Sequence, residues 1–206
     1  MRNKIILAMA AAGMMCATSA FATTIPTTDA GNGTINFTGS VIDAPCSVST
    51  DSQNINVILG QVSKNQLKSA DESSDPKKIT ISLLNCSFEA PSASNSDSKQ
   101  SEKAVTDYSK VAVAFTTSGG LDAEALKKGE IANTAPAPAT NVVIQLLKSD
   151  GVSPVDLSSE PTQDDATQLN TASETNDLIF YARMLATGVA TPGAVGASVT
   201  YKLKYF

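Results

Sequence analysis

Histidine and tryptophan are absent from the sequence, and aromatic residues make up only 5% of it. Without histidine the chain cannot form a Ser-His-Asp triad, a Cys-His pair or an HExxH zinc site. It also has no phosphate-binding loop, dinucleotide fingerprint or metal-ligand cluster. The candidate acid–base carboxylates lie in polar segments, where charges are usually solvated; they are Asp71, Glu72, Asp164 and Asp165. We therefore expect a protein that is not an enzyme, with no catalytic residue, no metal and no cofactor.

Basic residues are outnumbered by acidic ones. The chain has 15 lysines and arginines against 20 aspartates and glutamates, which gives a net charge of −5. A nucleic-acid-binding surface needs clustered positive charge, so we expect no nucleic-acid partner. After residue 22, no apolar run is long enough to span a membrane.

The first 22 residues have the pattern of a secretory signal peptide. Arg2 and Lys4 precede an apolar stretch, and an A-x-A cleavage site ends at residue 22. The alternatives are a retained membrane anchor, for which the stretch is too short, and a lipoprotein signal at Cys16. Lipidation normally follows a small residue, whereas Met15 precedes this cysteine. The pattern therefore predicts an exported chain.

Two cysteines, Cys46 and Cys86, remain after the signal peptide is removed. An exported chain with two cysteines most simply forms one disulfide. The alternative is a redox pair, which usually has C-x-x-C spacing, and that spacing is absent. We expect Cys46 and Cys86 to be joined.

Most of the remaining chain alternates apolar and polar residues with a period of two, which predicts β-strands. The alternating runs are 34–42, 55–59, 79–83, 111–115, 142–146, 178–184 and 195–205. Residues 121–128 look helical, with Gly129 as a stop. Residues 91–107 are rich in serine and charge and should form a long exposed loop, and residues 133–140 should form a connector. Short strands separated by turn signals predict an antiparallel β-sandwich.

The first alternating run stands apart from the others. Residues 23–32 before it are polar and should be disordered or extended. The break at residues 43–45 separates it from Cys46. The run could be an ordinary first strand of the sandwich, or a separate strand-forming segment that precedes the disulfide-bonded domain. Gly39 within it marks either a β-bulge or a place where another chain approaches closely.

Several stretches of the sequence, in this order, resemble chaperone–usher fimbrial subunits of the type 1-like major pilin family. They are GTINFTG at 33–39 followed by Pro45-Cys46, ITISLLNC at 79–86, ATNVVIQLLKSDG at 139–151, FYARMLATG at 180–188, ATPG at 190–193 and VTYKLKYF at 199–206. Gly193 and the penultimate Tyr205 occupy places where these subunits typically carry glycine and tyrosine. The Ser-rich loop departs from the family's pattern.

The resemblance implies an all-β fold, an incomplete immunoglobulin-like β-sandwich completed by a donor strand from a neighbouring subunit. Residues 1–22 would be the signal peptide, 23–42 the N-terminal donor-strand extension and 43–206 the pilin domain. In this family a periplasmic chaperone fills the open groove first. The extension of the next subunit then replaces it at an outer-membrane usher, an established case of β-strand addition.

The resemblance also implies a set of functional residues. The donor strand would present Ile35, Phe37, Gly39 and Val41, with Gly39 where the groove is too shallow for a side chain. The acceptor groove and chaperone contact would include Gly193, Val199, Tyr201, Leu203 and Tyr205.

The implied function is that of a structural subunit of an adhesive fimbria on the cell surface, exported through the periplasm. Its partners would be identical or related pilin subunits, the chaperone and the usher. Such head-to-tail contacts propagate into filaments. One alternative is a minor or adaptor fimbrial subunit. The other is a secreted, monomeric carbohydrate-binding β-sandwich, in which residues 34–42 would complete their own sheet.

Overall fold

The computed structural model describes residues 33–87 and 109–206. The chain divides into two compact units, Met1–Val41 and Ile42–Phe206. The predicted signal peptide at residues 1–22 and the predicted Ser-rich loop at residues 91–107 lie outside the described residues. Across the described ranges, no helix has the length and apolar character needed to cross a membrane.

The described part of the first unit, residues 33–41, forms neither a helix nor a strand, and every residue in it is exposed. Its alternating pattern is that of a strand, but these residues belong to no sheet. A strand requires a hydrogen-bonded neighbour as well as a suitable side-chain pattern. The sequence pattern therefore describes what this segment can form when it is given a partner.

The second unit is built mainly of β-strands. They are β1 (Ser47–Val48), β2 (Lys77–Leu84), β3 (Lys110–Thr117), β4 (Glu130–Ile131), β5 (Val142–Leu147), β6 (Thr167–Gln168), β7 (Thr175–Ala186) and β8 (Val199–Tyr205). The short helices are α1 (Thr50–Gln53) and α2 (Ala123–Lys127), with 3-10 turns at Lys64–Gln66 and Gln163–Asp165.

The described strands make two antiparallel sheets. One has the order β1-β2-β7-β5-β4, and the other has the order β6-β3-β8. The longest strand, β7, lies inside the larger sheet and pairs with β2 along one edge and with β5 along the other. In the smaller sheet, β3 pairs with β8 over the whole length of β8. The central strand of the larger sheet, β7, therefore has hydrogen-bonded partners on both sides.

The apolar faces of the two sheets share one core. A buried cluster joins Ile81 and Leu83 of β2 to Val111 and Val113 of β3. Phe115 and Phe180, one from each sheet, contact each other edge to face with ring centroids 5.0 Å apart. Side chains that interdigitate in this way define a β-sandwich.

The cysteines close this core at one end. Cys46 and Cys86 form a disulfide and are almost fully buried in the same cluster. The Pro45 carbonyl oxygen also accepts a hydrogen bond from the Ser87 amide at 2.9 Å. The chain therefore enters the sandwich at a covalently fixed point.

The predicted strands agree with the structure at 79–83, 111–115, 142–146 and 178–184, and for the last run from Val199 onward. The prediction of a strand at 55–59 is wrong, because this segment is paired with no described strand. The burial of its side chains nevertheless alternates as the sequence pattern predicts. The missing feature is the hydrogen-bonded ladder.

The predicted helix at 121–128 is shorter than the pattern indicates. The Asp122 carboxylate caps α2 by accepting from the Ala125 amide at 2.8 Å. The helix stops before Gly129, whose φ is +69°. A Cβ at Gly129 would lie only 2.4 Å from the Leu146 carbonyl oxygen, so glycine is required both by the backbone conformation and by the close approach of β5.

Candidate functional site: an open groove in the sandwich

A groove of about 1440 Å³ runs along the second unit. One wall is the segment 54–62, which we call the first wall. The opposite wall is formed by residues 191–199 and the start of β8. The floor is apolar and comes from both sheets. It includes Ile79, Ile81, Phe115, Ile131, Ile144, Leu146, Ala182 and Met184.

The first wall faces the groove with alternate residues. Ile55, Val57 and Leu59 are half-buried, whereas Ile58 between them is 77% exposed. Within the described chain, residues 54–62 form no backbone hydrogen bond. Backbone amides and carbonyls almost always find partners when they are buried. This wall therefore has the side-chain arrangement of a strand and lacks a strand's neighbour.

The opposite wall ends in an edge strand. β8 is bonded to β3 on one side, and none of the described strands lies on its other side. An edge strand of this kind presents unpaired amides and carbonyls. The groove thus has an apolar floor between two backbone edges that can each accept a further strand.

Gly193 fixes the far end of the groove. The backbone there lies against the connector predicted at 133–140: the Ala139 amide donates to the Ala194 carbonyl at 2.9 Å, and the Ala194 amide donates to the Ala137 carbonyl at 3.1 Å. A Cβ at Gly193 would lie 2.3 Å from the Ala139 nitrogen. Only glycine permits this approach, so Gly193 holds the opposite wall in place.

Tyr201 stands at the other end of the groove, where α1 leads into the first wall. Its side chain lines the groove, and its hydroxyl donates to the Ser52 carbonyl oxygen at 2.7 Å. Burial raises the pKa of the Tyr201 phenol above its ordinary value, because removal from water disfavours the phenolate. The hydroxyl is the donor in this hydrogen bond.

The groove brings together some of the residues expected for the acceptor site. Gly193, Val199 and Tyr201 line it. Leu203 and Tyr205 lie further along β8 and pack against the core cluster that contains the disulfide. Burial raises the pKa of Tyr205, and a hydrogen bond with the Cys46 backbone opposes that shift. These two side chains therefore lie at the core end of β8, outside the groove lining.

The residues expected to act as the donor are all exposed. Ile35 is 76% exposed, Phe37 89% and Val41 fully exposed, and a Cβ at Gly39 would meet no atom within 4 Å. Contiguous exposed apolar surface is typical of an interaction site. The described segment 33–41 thus presents one apolar edge to solvent.

The sequence did not identify the first wall as part of the site. The alternation of Ile55, Val57 and Leu59 was visible, but it indicated an ordinary strand. The floor residues were visible only as strand residues. They line a groove because no described strand pairs with the free edge of β8, and this depends on the sheet topology. Among the described residues, no group of three or more Cys, Asp or Glu side chains could hold a metal ion.

Comparison with known proteins gives the groove its context. Residues 35–206 match the model of the fimbrial protein family. The chain belongs to this family. It is 36% identical to the F17 fimbrial protein of Escherichia coli, over 94% of this chain and 95% of that protein. It is 34% identical to the type-1 fimbrial protein A chain of Escherichia coli, over 93% of this chain and 91% of that protein.

Solved structures place this fimbrial protein among pilus subunits. A chain of a chaperone–usher pilus, solved to explain rod uncoiling, is 27% identical with a TM-score of 0.63, and the match covers 88% of this chain and 99% of that one. The P pilus rod subunit PapA is 26% identical with a TM-score of 0.57, over 79% and 100% of the two chains. The protein is a structural pilin with an immunoglobulin-like sandwich, exported and assembled with related pilins into cell-surface fimbriae.

Proposed function

We propose that this fimbrial protein polymerises head to tail by donor-strand exchange, with residues 33–42 of one subunit filling the groove of the next. The observation that carries the proposal is the pair of unpaired edges, the first wall and β8, on either side of an apolar floor. A strand inserted there would pair with both edges. Each subunit offers one donor segment and one groove, so the contact propagates into a fibre.

The donor segment has the chemistry that the groove requires. Ile35, Phe37 and Val41 lie on every second residue and would point to the floor together. Burying each of these side chains contributes roughly 1.5–3 kcal/mol. Gly39 occupies the remaining position of the same face, and we assign it to a point where the groove leaves no room for a side chain.

The empty groove also explains why a subunit would need a chaperone before it joins a fibre. An empty groove exposes apolar floor residues and unpaired backbone, which favour aggregation. A periplasmic chaperone that lends a strand would cover both, and an outer-membrane usher would be the place where the next subunit's segment replaces it. Leu203 and Tyr205 lie at the core end of β8, outside the groove. In this scheme the chaperone would contact them only at the margin of the groove.

The relatives favour a shaft role over an adaptor role. One similar structure is described as a rod subunit, and relatives from Haemophilus influenzae are named major fimbrial subunits. The chain covers most of the length of these proteins, and it carries both a donor segment and a groove. A secreted carbohydrate-binding sandwich would be closed, whereas this sandwich has an open edge at β8.

The donor role is tested by adding one side chain to the donor face. Gly39→Lys should abolish fibres, because a lysine cannot enter the shallow part of the groove. Ser40→Lys is the matched control, since it adds the same side chain one residue along, on the opposite face, and fibres should persist. Both variants are expressed with the chaperone and usher, and fibres are counted by electron microscopy. Normal fibres from Gly39→Lys would overturn the donor assignment.

A further inference from the structure

One hydrogen bond joins β8 to α1, the helix that directly precedes the first wall. It runs from the Tyr201 hydroxyl of β8 to the Ser52 carbonyl oxygen of α1. In the described part of the chain, no other hydrogen bond connects residues 50–62 with residues 199–204 of β8. We call this contact the Tyr201–Ser52 link.

The α1 end of the link is itself fixed to the larger sheet. The Ser52 hydroxyl, in a residue that is only 3% exposed, accepts from the Ser82 amide of β2 at 2.9 Å. It also accepts from the Ser49 hydroxyl at 2.8 Å, and the Ser49 amide donates to the Ser82 carbonyl at 3.0 Å. These bonds hold α1 on β2, while the Tyr201 hydroxyl joins α1 to β8.

The first wall follows directly on this anchor, and its side chains Ile55, Leu59 and Val62 pack against the core clusters. Beyond α1, residues 54–62 have no backbone hydrogen bonds to either sheet in the described chain. Their inward side chains, Ile55, Val57 and Leu59, face an apolar floor. A wall released at its root would close onto that floor, because burying apolar surface is favourable. A donor strand would then have to displace the wall before it could enter.

We propose that the Tyr201–Ser52 link keeps the first wall apart from β8, and that Tyr201 is thereby a positioning residue for uptake of the donor strand. This inference rests on the proposed function, because it concerns how the same groove is kept ready for a strand. It assigns the phenol hydroxyl a role distinct from that of the ring, which packs on the core.

The test measures donor uptake by the full mature chain carrying Gly39→Lys, which removes competition from polymerisation. A fluorescent peptide with the native sequence of residues 23–42 is added, and its association rate and affinity are recorded. Removing the hydroxyl with Tyr201→Phe should weaken and slow uptake about fivefold, the usual effect of losing one hydrogen bond. Tyr181→Phe on β7 is the matched control and should leave uptake unchanged.

A second variant tests the link from its other side. Ser52→Ala keeps the carbonyl that accepts from Tyr201 but removes the hydroxyl that fixes α1 to Ser82 of β2. It should slow uptake in the same direction as Tyr201→Phe. A purely structural role would lower the melting temperature of the empty protein and leave peptide uptake intact, so both quantities are measured for every variant.

The outcomes separate the two proposals. If the protein with Tyr201 intact takes up no peptide, donor-strand exchange is overturned, and the link falls with it. If that protein takes up the peptide and Tyr201→Phe does so equally fast and equally tightly, the link alone is overturned. Should Tyr201→Phe fail to fold, Ser52→Ala decides: slowed uptake supports the link, and unchanged uptake contradicts it.

Discussion

Two segments of this fimbrial protein carry the same sequence pattern and have different structures. Residues 178–184 and 55–59 both alternate apolar and polar side chains. The first lies in β7, bonded to β2 on one side and β5 on the other. The second is paired with no described strand. Alternation decides which side chains face the core, whereas a ladder requires a neighbouring backbone.

The difference indicates where the fold is incomplete. β7 finds both partners within its own chain, so its strand is a property of the subunit. The first wall and the free edge of β8 face each other across the groove, and in our account their common partner belongs to another subunit. We therefore expect the first wall, which has strand-like burial and no ladder, to receive its neighbouring strand from another subunit.

The largest loss of stability is expected for a substitution in the strands that pair within the chain. Leu83 on β2 is completely buried, so Leu83→Ala should cost about 2–5 kcal/mol of unfolding free energy. Val57→Ala on the first wall removes a half-buried side chain and should cost about 1 kcal/mol or less in the empty protein. Denaturant unfolding of the Gly39→Lys chain measures both.

The difference between the penalties of these two variants should become smaller once the groove is filled. With the peptide of residues 23–42 bound, the penalty for Val57→Ala should grow, because the donor would then cover the side chain. The penalty for Leu83→Ala should stay as it was. Equal penalties for Val57→Ala with and without peptide would show that the first wall does not contact the donor.

A smaller loss of stability is expected at Gly193, where the opposite wall of the groove packs against the connector at residues 133–140. Gly193→Ala places a methyl group against the Ala139 backbone nitrogen, so the opposite wall must move, at a cost of about 1–3 kcal/mol. Gly196→Ala is the control, because its Cβ would make an ordinary contact of 3.6 Å with the Ala135 side chain. Thermal melts compare the two variants, and an unaltered Gly193→Ala protein would contradict the close approach.

The smallest expected effect is a loss of folding stability at alkaline pH, caused by two tyrosines of β8. Burial raises the pKa of both Tyr201 and Tyr205. The folded state therefore holds these protons longer than the unfolded state, whose tyrosines titrate near pH 10. The stability that this provides is present below about pH 10 and is lost as the pH rises toward the folded pKa values.

Melting temperatures between pH 8 and pH 11 measure this dependence. The fall in stability should be shallower in Tyr201→Phe, which has one titrating group fewer. An identical slope in the variant and the parent would show that Tyr201 does not titrate differently in the folded and unfolded states.

The sequence was sufficient for the longer strands that pair within the chain, but it did not predict the two-residue strands β1, β4 and β6. The runs around Ile81, Val113, Ile144 and Leu178 each became a strand, and the two mature cysteines are joined in the structure. Period-two patterning works for these runs because each is buried on at least one face and has a neighbour. The short α2 was located as well, with Gly129 as its stop, although the Asp122 cap that begins it was not foreseen.

The candidate site was only partly predictable. The donor-like residues and Gly193, Val199 and Tyr201 were named from a family resemblance. The first wall was taken for an ordinary strand, since no local signal shows that a strand will lack its neighbour. The Tyr201–Ser52 link could not be predicted either, because it joins residues far apart in the chain through a backbone carbonyl.

The most direct measurement of the central claim is hydrogen exchange with and without donor peptide. Amides of residues 54–62 and of β8 are followed in the full Gly39→Lys chain, alone and with the peptide of residues 23–42. A peptide carrying Gly39→Lys is the control. We expect the native peptide alone to slow exchange along both walls and to leave β7 unchanged. Unchanged exchange at both walls, in the presence of bound native peptide, would contradict the claim that a donor strand completes this groove.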